Sequence, residues 1–349
     1  MEDNTHNVIN ILGIKIKTNK KNKGILNEFL IKADKLRGKV KYNNQFNEPV
    51  DLVYTWCSSS DEQWNKKRNK YLNSQNESFD EQSISDGRFR DNDELKYSLR
   101  SVEKYAPWIN KIYIITDNQV PSWLNTKHPK IKIIDHKDII PEEYLPTFNS
   151  NVLEMYMHKI PGLSEHFLYS NDDTFIGRKV KKEFFFTSEG RPYARMKKMP
   201  SAWFIWGNQY MHFLMNMQYA VFKKYNKKIF LQPHHNMDAY TKSICNICEE
   251  EYRDIYMQTS CHKFRLETDF QRSLIYYLAK VNDTIKLKIA NKKQSFHASA
   301  GQKDILKSLQ KIKPYLFCIN DTENSSSSDG VSTQNILNKI FSIKSSFEL

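Results

Sequence analysis

From Val50 onward the chain alternates short β-branched and aromatic runs with helical patterns, and that order restricts its fold more than any other feature. "VDLVYTW" (50–56), "KIYIIT" (111–116), "KIKIID" (130–135), "HFLYS" (166–170) and "IKLKIA" (285–290) are predicted strands. Between them, "DNDELKYSLRSVEKYAPW" places Leu95, Leu99 and Val102 at helical spacing, with Asp or Asn to cap its start and Pro107 to stop its end. "NSNVLEMYMHKI" and "ETDFQRSLIYYLAKV" are further helices, the second with Leu266, Phe270, Leu274 and Leu278 on one face. This order predicts an α/β fold with a Rossmann-like, largely parallel sheet flanked by helices. Such sheets carry ligands at the C-terminal ends of their strands.

The chain has 349 residues, 39% hydrophobic and 13% aromatic, enough for a real core and too apolar for bulk disorder. Its formal charge of +13 would attract anions of any class. Much of the excess sits in residues 15–41, so residues 1–48 are expected to be a basic extension with one amphipathic patch, Ile25 to Leu36. The catalytic body is expected over 49–322. Residues 323–349 read as a Ser-rich linker, "SSSSDG", and a C-terminal amphipathic helix. No apolar run approaches the roughly 18–20 residues of a membrane span. "MEDNTHNVIN" lacks a signal-peptide layout, so a cytoplasmic location is expected. Five cysteines do not suggest a disulfide framework; Cys245, Cys248, Cys261 and His262 have zinc-ligand spacing, against a plainer reading as buried thiols.

"HFLYSNDDTFIGR" runs an apolar strand straight into Asn171, Asp172 and Asp173. Paired carboxylates there can hold Mg²⁺ or Mn²⁺ against a diphosphate, or divide metal binding and proton transfer between them. An Asx turn that ends the strand is the plainer reading. Arg88, Arg90, Asp91, Asn92 and Asp93 precede a helix, where arginines and backbone N–H groups favour phosphate; the acids also serve as caps. His234 and His235 lie before one helix, and His262, Lys263, Arg265 and Asp269 around the start of another, a set suited to phosphoryl transfer. Thr268 with Gln271 reads equally well as a capping box. "YLFCINDT" ends a second apolar strand on Asn320 and Asp321, and "SAWFIWGNQYMHFLMNMQYAVF" reads as core or a cap over the site.

Taken together, "DLVYTW", "RFRDNDELKYSLRSVEKYAPWINKIYIITDNQVPSWL", "LPTFNSNVLEMYMHKIPGLSEHFLYSNDDTFIGR", "PHHNMDAY" with "CHKFRLETDF", and "FCINDT" resemble, in order over roughly 49–322, the Stealth family of sugar-1-phosphate transferases, which includes bacterial capsule polymerases. The resemblance implies a nucleotide-sugar transferase-like enzyme that moves sugar-1-phosphate from a UDP-sugar to a hydroxyl of an acceptor glycan. UMP is released and a phosphodiester is formed, in capsule or exopolysaccharide synthesis. It also implies Mg²⁺ or Mn²⁺ as cofactor.

Carried over by position, Asp51 and Trp56 fall in the first motif and Arg88, Asp91, Asn92 and Asp93 in the second, all expected at the donor. His235, Asp172, Asp173, Arg265 and Asp269 are the expected catalytic set, and Asp173, Asn320 and Asp321 the expected metal set. One departure stands out: Ser58 occupies a position where the family carries an acid. The alternative chemistry is a metal-dependent glycosyltransferase that attacks the anomeric carbon and releases UDP. A nucleic-acid binder is disfavoured, because the basic residues are not interleaved with stacking aromatics. The basic extension instead suits peripheral contact with a membrane or with a polyanionic product.

Overall fold

The computed structural model describes residues 6–11, 14–19, 45–74, 81–199, 209–321 and 325–349. The amphipathic patch at 25–36 and the aromatic residues 201–208 lie outside them. Strands β1 (His6–Ile11) and β2 (Ile14–Asn19) form an antiparallel hairpin within a first unit, residues 1–45. Sequence reading had no strand there.

The second unit runs from Phe46 to Leu349. At its centre is a five-stranded sheet of β3 (Val50–Thr55), β4 (Ile112–Thr116), β5 (Ile131–Asp135), β6 (His166–Asn171) and β10 (Asp238–Thr241), ordered β10-β6-β3-β4-β5. All neighbours are parallel except β10, which runs antiparallel to β6. Every residue of β4, and all of β3 but Thr55, is buried, as expected for strands covered on both faces. Because β4 and β5 lie on one side of β3 and β6 on the other, the order in which strands are added switches sides at β3. Thr55 and Asn171, the last residues of β3 and β6, are register partners at that point, where open α/β sheets leave a crevice for ligands.

Two three-stranded sheets flank this one. The first contains β8 (Tyr193–Lys198), β9 (Leu231–Pro233) and β11 (Lys286–Ile289), so the predicted 285–290 strand belongs to a separate sheet. The other contains β7 (Thr174–Ile176), β12 (Ser295–Ser299) and β13 (Leu316–Asn320). Since β13 pairs antiparallel with β7, its C-terminal end is carried to the start of β7, next to Asp173.

Helix α1 (Glu62–Ser74) precedes α2 (Glu94–Tyr105), whose Leu95, Leu99 and Val102 pack into the core. The small polar residues of α2 grip β7: Ser98 donates to the Thr174 carbonyl at 2.6 Å, and Ser101 accepts from the Ile176 amide at 3.0 Å. Gly177 then passes so near Pro314 that a Cβ would lie 2.5 Å from its carbonyl oxygen, so only glycine fits.

Helices α3 (Ser150–Tyr156), α4 (Gln209–Tyr225), α5 (Lys242–Glu251), α6 (Arg253–Cys261), α7 (Ser273–Val281) and α8 (Ile305–Ile312) complete the layers. Helix α7 is shorter than its sequence pattern suggests, because Asp269 makes tertiary contacts where a capping box was expected. Cys245 and Cys248 are buried thiols on α5, and Cys261 is exposed; the described residues bring no metal-binding group together there.

The "SSSSDG" run is no linker. Ser326 and Asp329 form a capping box that starts α9 (Ser327–Ile340), and Gly330 lets this helix close on Asn92. The C-terminal residues are built into the same unit: Phe347 is buried, and Arg100 pairs with Glu348 at 2.7 Å. Among the described residues no helix is long and apolar enough to cross a membrane.

Candidate active site

The crevice at the β3/β6 ends is a cleft of about 250 Å³. Its floor is Asn171, which ends β6, with Asp172 and Asp173 from the turn that follows. Thr55 ends β3 and Trp56 and Cys57 follow it, while Asn320 ends β13 and Asp321 comes next. The two acidic strand ends therefore meet, brought together by the β7–β13 pairing, with the Ile319 amide donating to the Asp173 carbonyl at 3.2 Å. Arg88, Arg90, Glu94 and Arg265 line the same space. One wall is aromatic, from Trp64, Phe89 and Phe148, with Phe264 stacked on Phe148 at 5.2 Å.

The carboxyl groups crowd one another. Burial and the neighbouring charges of Asp173, Glu94 and Asp91 hold Asp172 well above the usual carboxylate range. Burial raises Asp173 to about 6 and Glu94 to about 7, and it raises Asp91 with help from Asp93. Arg90 meets Asp321 at 3.2 Å. Asn92 donates to Glu94 at 2.8 Å and to Asp321 at 3.3 Å, so it ties the second motif to the fourth from behind the cleft. Asp93, with left-handed backbone, pairs with Lys96 and does not line the cleft; neither does Asp91.

His235 reaches the site from another direction. The His234 amide bonds the Arg195 carbonyl at 2.9 Å, and the chain then crosses from β9 to β10. That crossing sets His235 within 4.8 Å of both Asp173 and Cys318, measured between ligand-forming atoms. Its Nε2 is buried without a hydrogen-bond partner among the described residues, and burial next to His297 and Arg272 pushes its pKa down to about 3. The imidazole is therefore neutral near pH 7. Cys318 donates its thiol to Asp173 at 3.3 Å, and burial pushes that thiol far above its normal range. A protonated thiol used as a donor is not a metal ligand.

Arg265 donates to Ser150 and lines the cleft, whereas Asp269 does not. Asp269 is fully buried and accepts from His262 Nδ1 at 2.5 Å, Asn149 at 2.6 Å and the Leu266 amide at 3.0 Å, which fixes the loop that carries Arg265. Asp51 stands at the opposite end of β3, where it accepts from Asn110, Lys111 and Ser164. Its surroundings give it a folding role away from the cleft. Ser58 packs against Gln119 and Ser60 beside the cleft rather than in it.

The sequence pattern does not single out Glu94 as a cleft residue, nor Arg90 as a partner of Asp321. It also gives no sign of a buried network in which Arg272 bonds Glu154 at 2.8 Å and Asp238 at 3.3 Å. Tyr169 links Glu154 to Asn171, at 3.3 and 3.0 Å. The adjacent arginine and acid positions carry no local signal, since Glu154, Asp238 and Arg272 meet only through the sheet.

The fold and cleft define an α/β enzyme whose acids and arginines converge at a strand-switch crevice. The conserved region 2 model of Stealth proteins matches residues 88–194. Capsular polysaccharide phosphotransferase fcs1 of Haemophilus influenzae is 34% identical over 298 residues, covering 79% of each chain. Shorter matches reach 48% identity with capsular polysaccharide phosphotransferase LcbA of Aeromonas hydrophila, over 41% of this chain and 39% of that one. Exopolysaccharide phosphotransferase SCO6023 of Streptomyces coelicolor is 35% identical over 66% of this chain and 40% of that one. Among solved structures, the galactosyltransferase LgtC overlaps loosely, with a TM-score of 0.40 and 10% identity over 82% of this chain and 95% of that one. The chain belongs to the Stealth family and is an enzyme of its phosphotransferase class.

Proposed function

We propose that the enzyme transfers sugar-1-phosphate from a UDP-sugar to a hydroxyl of an acceptor glycan in capsule or exopolysaccharide synthesis. The observation that carries this reading is the convergence of Asp172, Asp173, Asp321, Arg265 and Arg90 in one cleft, with His235 beside Asp173. The acceptor oxygen attacks the β-phosphorus as the bond from that phosphorus to the bridging oxygen breaks, and UMP leaves. Neutral His235 takes the hydroxyl proton. Arg265, Arg88 and Arg90 spread the charge on the phosphoryl oxygens. The aromatic wall suits the face of a nucleobase.

A divalent cation fits the donor set. Asp173, Asp321 and Asn320 offer hard oxygens, and the crowded, protonation-prone carboxyls call for positive charge. Mg²⁺ or Mn²⁺ held by these residues would neutralise diphosphate charge when bound. The basic residues of the 15–41 segment suit peripheral contact with the inner face of a membrane or with an anionic product. The test is incubation with a panel of UDP-sugars, Mg²⁺ and oligosaccharide acceptors. UMP release is expected; UDP release would replace this reading with attack at the anomeric carbon.

A further inference from the structure

A single buried phenol ties together the two strand ends that open into the cleft. Side chains two apart share a strand face, so Tyr169 and Asn171 point the same way from β6, and Thr55 is the register partner of Asn171 on β3. The Tyr169 hydroxyl lies 3.0 Å from Thr55 Oγ1, 3.0 Å from Asn171 Oδ1 and 3.3 Å from Glu154 Oε1. Tyr169 itself is fully buried, whereas Thr55 and Asn171 line the cleft.

The phenol has one proton to give, and its surroundings decide where it goes. Glu154 Oε1 already accepts a charge-assisted bond from Arg272 at 2.8 Å. Arg272, bonded also to Asp238, stands over the Tyr169 ring at 4.9 Å and holds it in place. Thr55 has a proton of its own to offer the phenol oxygen. The tyrosine proton is therefore left for the shorter contact, to Asn171 Oδ1. With Oδ1 occupied as an acceptor, the Asn171 amide nitrogen is turned away from Tyr169. That nitrogen has no hydrogen-bond partner among the described residues and is not sealed from solvent, so it faces the cleft that Asn171 lines.

We infer that Tyr169 is a positioning residue for the transfer, locking the Asn171 side chain so that its amide nitrogen donates to a β-phosphate oxygen of the donor. This rests on the phosphoryl-transfer reading above. Charge gathers on the oxygens of that phosphorus as the acceptor attacks, and a fixed donor there supplements the arginines without adding another titrating group. An untethered carboxamide presents its oxygen as readily as its nitrogen, and the oxygen repels phosphate. The phenol removes that choice.

The test is a double-mutant cycle on the full chain, with kcat and KM measured per folded molecule at saturating Mg²⁺. Asn171→Ala should lower kcat about 10²-fold and Tyr169→Phe about tenfold, with smaller changes in KM for the UDP-sugar. Adding Tyr169→Phe to Asn171→Ala should cost nothing further, because the phenol acts through the amide. Asn171→Asp keeps the shape and loses the donor, so it should be no faster than Asn171→Ala. Tyr169→Phe leaves the ring and the Glu154–Arg272 pair in place and should fold; were it not to, the Asn171 variants still test the donation on which the role depends. Additive losses, or an Asn171→Ala kcat within about threefold of wild type, would overturn the assignment. So would rescue by Asn171→Asp, which would show that the oxygen faces the cleft. UDP release by wild type with the same coupling would instead overturn the transfer reading and leave the positioning role standing for that reaction.

Discussion

Asp173 and His235 hold their ligand-forming atoms within 4.8 Å of each other, although one leaves the central sheet on β6 and the other enters it toward β10. Two independent chain crossings therefore meet at one point. Replacing His235 with Gln should lower kcat by about 10²- to 10⁴-fold, the usual worth of a positioned acid or base, with little change in KM. Steady-state kinetics checks this; a kcat within threefold of wild type would remove His235 from the proton path.

The acidic limb of the pH profile should belong to the carboxyls rather than to His235. His235 is already neutral down to about pH 3, whereas Asp173 and Glu94 take up protons near pH 6 and 7. Activity should fall as pH drops through that range. Because protons and cation compete for the same oxygens, raising Mg²⁺ should move the limb to lower pH. A limb that stays fixed between low and high Mg²⁺ would contradict this.

Stability carries the same signature with a definite sign. Asp173 has a folded pKa near 6 against an ordinary 3.8, so its charge opposes folding. The cost is absent below about pH 4, grows to pH 6 and is constant above. Metal-free Asp173→Asn should therefore be more stable than wild type at pH 8, by on the order of 2 kcal/mol, and the gain should shrink toward pH 4. Added Mg²⁺ should stabilise wild type and not the variant. Urea unfolding at several pH values gives the comparison; an Asn variant less stable than wild type at pH 8 would be the contrary result.

Asp51 and Asp321 should separate folding from chemistry. Asp51 is buried at the far end of β3 with its acceptors filled, so Asp51→Ala should cost about 3 kcal/mol or more of stability through its stranded donors. The protein that remains folded should keep its kcat. Asp321→Asn should leave the unfolding midpoint nearly unchanged and lower kcat at least tenfold. Unfolding curves and active-site-normalised kinetics on both variants decide the matter, and the reverse pattern would exchange their roles.

Much of the fold could be read from periodicity, because β3 to β6 and α2 are local patterns with buried apolar faces. The acidic strand ends could be read as well, since Asn-Asp-Asp and Asn-Asp after apolar runs are unusual. What could not be read depends on tertiary pairing. Asp51 has the same look as a site acid, and only the neighbouring loop amides show its different task. Glu94 looks like a helix-capping acid until Asn92 and the cleft surround it. "SSSSDG" has linker composition, yet Ser326 and Asp329 cap a helix, and Gly330 is needed because Asn92 lies against it. The resemblance to the Stealth family supplied roles that spacing alone left open, although it grouped Asp51 and Asp269 with residues from which the structure separates them.

The central claim concerns which atom is attacked. A UDP-sugar labelled with ³²P at the β-phosphorus, turned over with an oligosaccharide acceptor, tests it most directly. The account predicts label in the glycan, as a phosphodiester visible by ³¹P NMR in an unlabelled run, with unlabelled UMP released. Label retained in released UDP, with no phosphorus in the glycan, would contradict it.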